Sequence, residues 1–149
     1  MRLIDETVVI QAPPASVYAY VANHEHYQRW YPGVQAVAAL DDMPHGSPGK
    51  VYRETLEIAP GRTADMTIRV VLAAPDSRFV TESELGRWLT RMDIEFSPAG
   101  TGGTRLTWRF HLRNKPLLPN LLFRLSAAPA MKRRTRAGLA RLKSILELG

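Results

Sequence analysis

Between residues 88 and 97 apolar and polar side chains alternate. Trp88, Thr90, Met92, Ile94 and Phe96 fall on one side, and Arg91, Asp93 and Glu95 on the other. A period of two is that of a strand with one buried and one wet face. The same alternation predicts strands at 103–113 (Leu106, Trp108, Phe110 and Leu112 against Arg105, Arg109 and His111) and at 78–85 (Phe79, Thr81, Ser83 and Leu85 against Glu82 and Glu84). It recurs at 63–73, with Met66, Ile68, Val70 and Leu72 in the apolar row, and at 50–59, with Tyr52, Glu54, Leu56 and Ile58. Two further strands are predicted at 3–11 and 34–41 from their β-branched and alternating residues. The breaks carry turn chemistry: Pro44 to Gly49, Pro60-Gly61, Pro75-Asp76, Gly86, and Ser97 through Gly103. Connections this short favour an antiparallel meander.

Elsewhere the period lengthens to that of a helix. Val17, Tyr18 and Val21 predict a short helix over 15–22, and Asn23 can cap a second over 24–31, which Pro32-Gly33 ends. A Leu-rich lead-in spans 116–128, and Pro129 marks a kink or restart. Over 130–148, Met131, Thr135, Gly138, Leu139, Leu142, Ile145 and Leu146 share one face, while Lys132, Arg133, Arg134, Arg136, Arg141 and Lys143 take the other. The order is therefore strand, two short helices, six strands, long helix. A sheet with one apolar face needs a cover, and the last helix is the only predicted element long enough to supply it.

The run V-x-I-x-A-P-x-x-x-V-Y-x-Y-V-A-N from Val8, the run Y-x-x-W-Y-P-G-V from Tyr27, and the strands and basic amphipathic helix that follow resemble the START-like (SRPBCC) superfamily. The resemblance covers essentially the whole chain. It implies an α+β helix-grip fold: a curved seven-stranded antiparallel sheet wrapped around a long C-terminal helix, with two short helices after the first strand. It also implies one ligand-binding domain over 1–149, with a cavity between sheet and helix that the aromatic second helix closes at one end. The superfamily hosts polyketide cyclases, lipid-transfer domains and plant pathogenesis-related proteins, so the resemblance speaks to fold more than to function.

Composition narrows the chemistry. The chain has 149 residues, 45% hydrophobic, which suits one core. No apolar run approaches the roughly 18 residues of a membrane span, and Asp5 and Glu6 interrupt any signal-peptide pattern at the start. Cysteine is absent, so disulfides, thiolate nucleophiles and Cys-ligated metals are excluded, and a cytoplasmic location is the simplest expectation. The net charge of +6 is concentrated: six basic residues and no acid lie between Lys132 and Lys143. Opposite an apolar stripe these read as a solvated helix face, and no nucleic-acid partner is expected from them. No phosphate-binding loop, dinucleotide fingerprint or nucleophile elbow occurs, and no cofactor is expected.

His24 and His26 invite a metal reading, but two residues apart on a helix they point about 200° apart, and no metal site is expected. Tyr27, Trp30 and Tyr31 share a helix face and are expected to pack on the sheet at the rim of the cavity. Glu54 is out of place, since it has the parity of the apolar row. Desolvation there favours the neutral acid unless a cation is near, and no arginine has inward parity on the predicted strands. Glu54 is the candidate catalytic acid/base or polar anchor.

The expected ligand-binding wall comprises Tyr27, Trp30 and Tyr31 with Tyr52, Met66, Ile68, Phe79, Thr81 and Ser83. It continues through Trp88, Thr90, Met92, Trp108 and Phe110 to Met131, Thr135, Gly138 and Leu142 of the final helix, where Gly138 is expected to leave room. The expected partner is a hydrophobic small molecule: a polyketide, lipid or aromatic metabolite. Alternatives are a cyclase or dehydratase in which Glu54 moves a proton, and a lipid or quinone carrier. The segment Leu117–Leu125 is too apolar for a solvent-facing stretch. It is a candidate lid, homodimer interface or, with the basic helix face, peripheral membrane contact.

Overall fold

The computed structural model describes residues 1–114 and 117–148. Residue 116, where the Leu-rich lead-in was expected to begin, lies outside the described residues. The elements run β1 (Arg2–Ile10), α1 (Pro14–Ala22), a 3-10 turn (His24–His26), α2 (Tyr27–Trp30), β2 (Val34–Ala39), β3 (Val51–Ala59), β4 (Arg62–Ala74), β5 (Arg78–Leu85), β6 (Trp88–Ala99), β7 (Gly103–Leu112) and α3 (Leu117–Leu148). The expected helix over 24–31 is thus divided. Asn23 accepts a hydrogen bond from the Glu25 N–H at 3.1 Å and so opens the tighter turn first.

All seven strands form one antiparallel sheet in the order β1-β7-β6-β5-β4-β3-β2. The meander from β2 to β7 follows from its short turns, and β1 closes it by pairing with β7. The outer face carries the expected mixed charges: Arg109 meets Glu95 at 2.8 Å and Asp5 at 3.4 Å, and Arg91 meets Glu82 at 2.9 Å. Such cross-strand pairs contribute roughly 0.2–1 kcal/mol each and chiefly hold register. One expected inner residue leaves its row. The register shifts between Val70 and Leu72, and Leu72 is 36% exposed; an irregularity of one residue turns a side chain to the other face.

The inner face is covered in two ways. Over one end of the sheet α1 lies directly on the strands, with Tyr18 edge-on to Phe79 and Phe96. Over the rest lies α3, which runs through Pro129 as one helix. Its buried stripe holds Thr135, Leu139 and Leu142. Part of the basic face is exposed, as expected, and also ties α3 to the edge strand β1. Arg136 and Lys132 reach Glu6 at 3.1 and 3.9 Å, the Lys143 ammonium donates to the Val9 carbonyl at 2.7 Å, and the Gln11 N–H donates to Glu147 at 2.8 Å.

Candidate functional site

Between the sheet and the first half of α3 lies a cavity of about 420 Å³, within the few hundred Å³ usual for a small-molecule site. Glu54, Leu56 and Ile58 of β3 line it, with Met66 of β4, the β5–β6 turn at Leu85 and Trp88, and Thr90, Trp108 and Phe110 of β6 and β7. Tyr27 and Tyr31 close the α2 end, and Phe123, Ala127, Met131 and Arg134 of α3 form the roof. Phe123 meets Trp88 at a ring separation of 4.7 Å. Ile58 is 45% exposed, so the cavity reaches solvent along β3.

One wall is a ladder of rings. Tyr27 stacks on Tyr31 at 4.9 Å, Tyr31 on Trp108 at 5.8 Å, and Trp108 on Phe110 at 5.8 Å. Burial pushes the Tyr27 phenol well above its ordinary value. It pushes Tyr31 up to about 12, against the opposing pull of its Thr135 hydrogen bond at 3.0 Å and the Arg134 charge. Both hydroxyls are therefore neutral over the physiological range. The Trp108 Nε1–H is buried without a hydrogen-bond partner.

Glu54 lines the cavity from β3 as the period-two row requires, opposite Met66 of β4 and Val37 of β2. A buried carboxylate is costly without a partner. The partner comes from neither strand: His24, on the 3-10 turn, places Nε2 3.1 Å from Glu54 Oε1. The imidazole is fixed by stacking on Tyr27 at 4.8 Å. The expectation that Glu54 faces the cavity without a basic neighbour is corrected here. No arginine on the predicted strands has inward parity, and the base sits on the turn instead. His26 goes elsewhere, with Nδ1 2.9 Å from the Tyr20 carbonyl and its ring stacked on Tyr20. Among the described residues no group of three or more His, Asp or Glu side chains is placed to hold a metal.

Of the expected wall, Tyr27, Tyr31, Met66, Trp88, Thr90, Trp108, Phe110 and Met131 line the cavity, as does the candidate acid Glu54. Trp30, Tyr52, Ile68, Phe79, Thr81, Ser83, Met92, Thr135 and Leu142 are buried in the surrounding packing instead. The rows run the length of the sheet, whereas the cavity occupies only the end that α1 does not cover. Several of these have structural partners: Tyr52 hydrogen-bonds His45 Nδ1 at 2.7 Å, Ser83 bonds Thr90, and Thr135 bonds Tyr31. Gly138 leaves no room. A Cβ there would meet the Trp30 carbonyl oxygen at 3.1 Å, so this glycine lets α3 approach the segment after α2 closely.

Phe123 comes from the Leu117–Leu125 segment expected as a candidate lid, whereas two further roof residues, Ala127 and Arg134, fall outside the expected wall. Phe123, Ala127 and Met131 follow one another at intervals of four, the spacing of one helix face. Treating Pro129 as a restart hides that continuity. Arg134 was assigned to the solvated face, yet it lies within about 60° of Met131 on a helical wheel. Its Nη1–H donates to the Glu57 carbonyl at 2.8 Å.

A family model described as polyketide cyclase / dehydrase and lipid transport matches residues 1–147. No curated protein matches the chain. Among solved structures, the fold is similar to a START superfamily protein from Mycobacterium smegmatis, at 18% identity and a TM-score of 0.75, covering 97% of this chain and 99% of that one. It is also similar to the Zhui aromatase/cyclase from a Streptomyces species, at 20% identity and 0.72, covering 97% and 92%. A Deinococcus radiodurans protein matches at 24% identity and 0.72, covering 98% of each chain. Among the described residues no helix is long and apolar enough to cross a membrane.

Proposed function

The chain belongs to the polyketide cyclase / dehydrase and lipid transport family, and from that premise we propose that residues 1–149 act as one ligand-binding domain for a hydrophobic small molecule with a flat, ring-bearing body. The observation that carries this reading is the cavity of about 420 Å³ with its ladder of four stacked rings, Tyr27, Tyr31, Trp108 and Phe110. Apolar walls supply affinity, at about 25 cal/mol per Å² of apolar surface removed from water. Ring faces add a preference for planar ligands. The test is binding of neutral phenylnaphthylamine, whose fluorescence rises in apolar surroundings. The unaltered protein should bind one equivalent, and Ala127→Trp, which fills the roof, should abolish binding. Equal binding by both proteins would place the probe elsewhere and defeat the reading.

A second reading is favoured by the Glu54–His24 pair. A carboxyl group that faces an apolar cavity and is hydrogen-bonded to an imidazole behind it is equipped to take or give a proton. In an enzyme of the cyclase or dehydratase kind, Glu54 is the acid/base toward the ligand and His24 positions it. Glu54→Gln should then keep the fold and the probe binding and abolish turnover of a polyketide-like substrate. Turnover that survives the change removes Glu54 from the chemistry.

The carrier alternative rests on a different surface. Leu118, Leu121, Leu122 and Leu125 are between 44% and 69% exposed on α3, on the helix that roofs the cavity. A carrier should sediment with anionic vesicles and lose that property when Leu122 and Leu125 become serine. A concentration-dependent change in mass without vesicle binding would assign the same leucines to self-association.

A further inference from the structure

We propose that Arg134 is an anion-recognising end of this cavity, so that its occupant is a ring-bearing apolar molecule carrying one acidic oxygen group of the carboxylate, sulfonate or enolate kind. The proposal rests on the cavity reading above and adds to it the charge of the ligand and the end at which that charge sits.

Arg134 is the one Lys or Arg side chain among the described residues that line the cavity, whose other walls are rings and aliphatic chains with Thr90 and the two acids Glu54, paired with His24, and Glu57. A guanidinium has five N–H donors. The one side-chain hydrogen bond that Arg134 makes among the described residues takes one of them, to the Glu57 carbonyl at 2.8 Å. Its neighbours on α3 are placed otherwise. Arg136 and Lys132 reach Glu6, and Lys143 reaches Glu147 at 2.6 Å. Among the described residues Arg134 makes no ion pair with a carboxylate, although it is half-buried. A charge taken partly out of water and left with unused donors favours an anion, and the planar fork of a guanidinium matches two oxygens at once.

The seat is built into the backbone. Gly33, between α2 and β2, has φ of +91°, and a Cβ there would lie 2.7 Å from Arg134 Nη1. The Gly33 carbonyl accepts from the Glu57 N–H at 2.8 Å, so the same residue pair that opens β2 against β3 also places the carbonyl that holds the guanidinium. A side chain held this way loses little freedom when a ligand arrives, which favours binding. Eleven residues separate Arg134 from Phe123, about 16 Å of helix. The acidic group is therefore held far from the Trp88–Phe123 contact, and the apolar body of the ligand extends toward it.

The experiment compares two probes with one fused-ring body: neutral phenylnaphthylamine and anilinonaphthalene sulfonate, which adds an anion. Arg134→Gln should weaken the sulfonate by roughly 10- to 100-fold, the worth of a charge-assisted hydrogen bond, and leave the neutral probe within about twofold. Gly33→Ala, which crowds the guanidinium, should lower the sulfonate preference in the same direction. Arg133→Gln, an exposed neighbour, should change neither. If the glutamine variant does not fold, Arg134→Lys takes its place, with a loss of several-fold confined to the sulfonate. Equal losses for both probes, no loss for the sulfonate, or the same loss in Arg133→Gln would overturn the proposal while leaving the cavity reading intact. Failure of the unaltered protein to bind either probe would overturn both.

Discussion

His24 and Glu54 lie thirty positions apart in sequence, yet His24 Nε2 sits 3.1 Å from Glu54 Oε1, with side-chain exposures of 2% and 1%. Neither group can turn to water, so each depends on the other. His24→Ala leaves a buried carboxylate without its partner and should cost about 3–5 kcal/mol. Glu54→Gln keeps an amide able to bond the ring and should cost about 1 kcal/mol. Urea denaturation of the two single variants and the double variant gives the coupling. Strict additivity would show that the pair is adjacent but not interacting.

Gly138→Val tests the close approach of α3. Valine gains over glycine in helix propensity by a few tenths of a kcal/mol. The added carbon atoms, however, face the Trp30 carbonyl, Pro32 and Tyr31, and the nearest of these is backbone. Overpacking of this kind typically costs about 1–3 kcal/mol, so the net change in thermal unfolding should be a loss. A variant as stable as the parent would show that the helix can shift outward freely.

Asp41 provides a pH-dependent contribution at the other end of β3. Its carboxylate accepts from the buried Lys50 ammonium at 2.9 Å and from the Val51 N–H at 3.0 Å. The Lys50 hydrogen bond holds the Asp41 carboxyl below its ordinary value; burial opposes this, and the Val51 and Met43 N–H groups and the Lys50 charge add to the lowering. A depressed folded-state value means that the stabilisation is present above the unfolded value, about 3.9, and is lost as pH falls through the folded one. Asp41→Asn should therefore narrow its stability gap to the parent as the solution is acidified below about pH 4. A gap constant from pH 7 to 2.5 would assign the aspartate a purely geometric role.

Period-two alternation located the strands to within a residue or two because each has one wet face. Where bounds moved, a local reason is visible: β6 continues past Pro98 to Ala99, with Pro98 paired to Thr104 near the strand's end. The inward parity of Glu54 was legible for the same reason. The extent of the cavity was not, since a row covered by α1 and a row facing a void have the same alternation. Phe79 and Phe110 are equivalent in pattern, and only the placement of α1 separates them. The His24–Glu54 pair required knowing that a 3-10 turn, not a helix, carries His24. Arg134 sits at the border of its helical stripe, where a wheel alone does not distinguish wall from solvent.

The pairing of β1 with β7 joins residues far apart in the chain: Thr7 bonds Thr107 across one hundred positions. On the ribosome, at about 5–20 residues per second, β1 waits roughly 5–20 s for that partner to be made. Throughout that interval Ile4, Val8 and Ile10 have no sheet to join, and the basic anchors of α3 that later secure β1 are made after β7. The meander from β2 to β6 assembles from neighbours and needs no such delay. Folding is thus divided into a local stage and a closing stage that waits for β7 and α3, and exposure of the first strand to aggregation or to chaperones is set by synthesis time. Chains halted before residue 103 should show fast amide exchange throughout residues 2–10, and slow exchange there would mean that β1 finds an earlier partner.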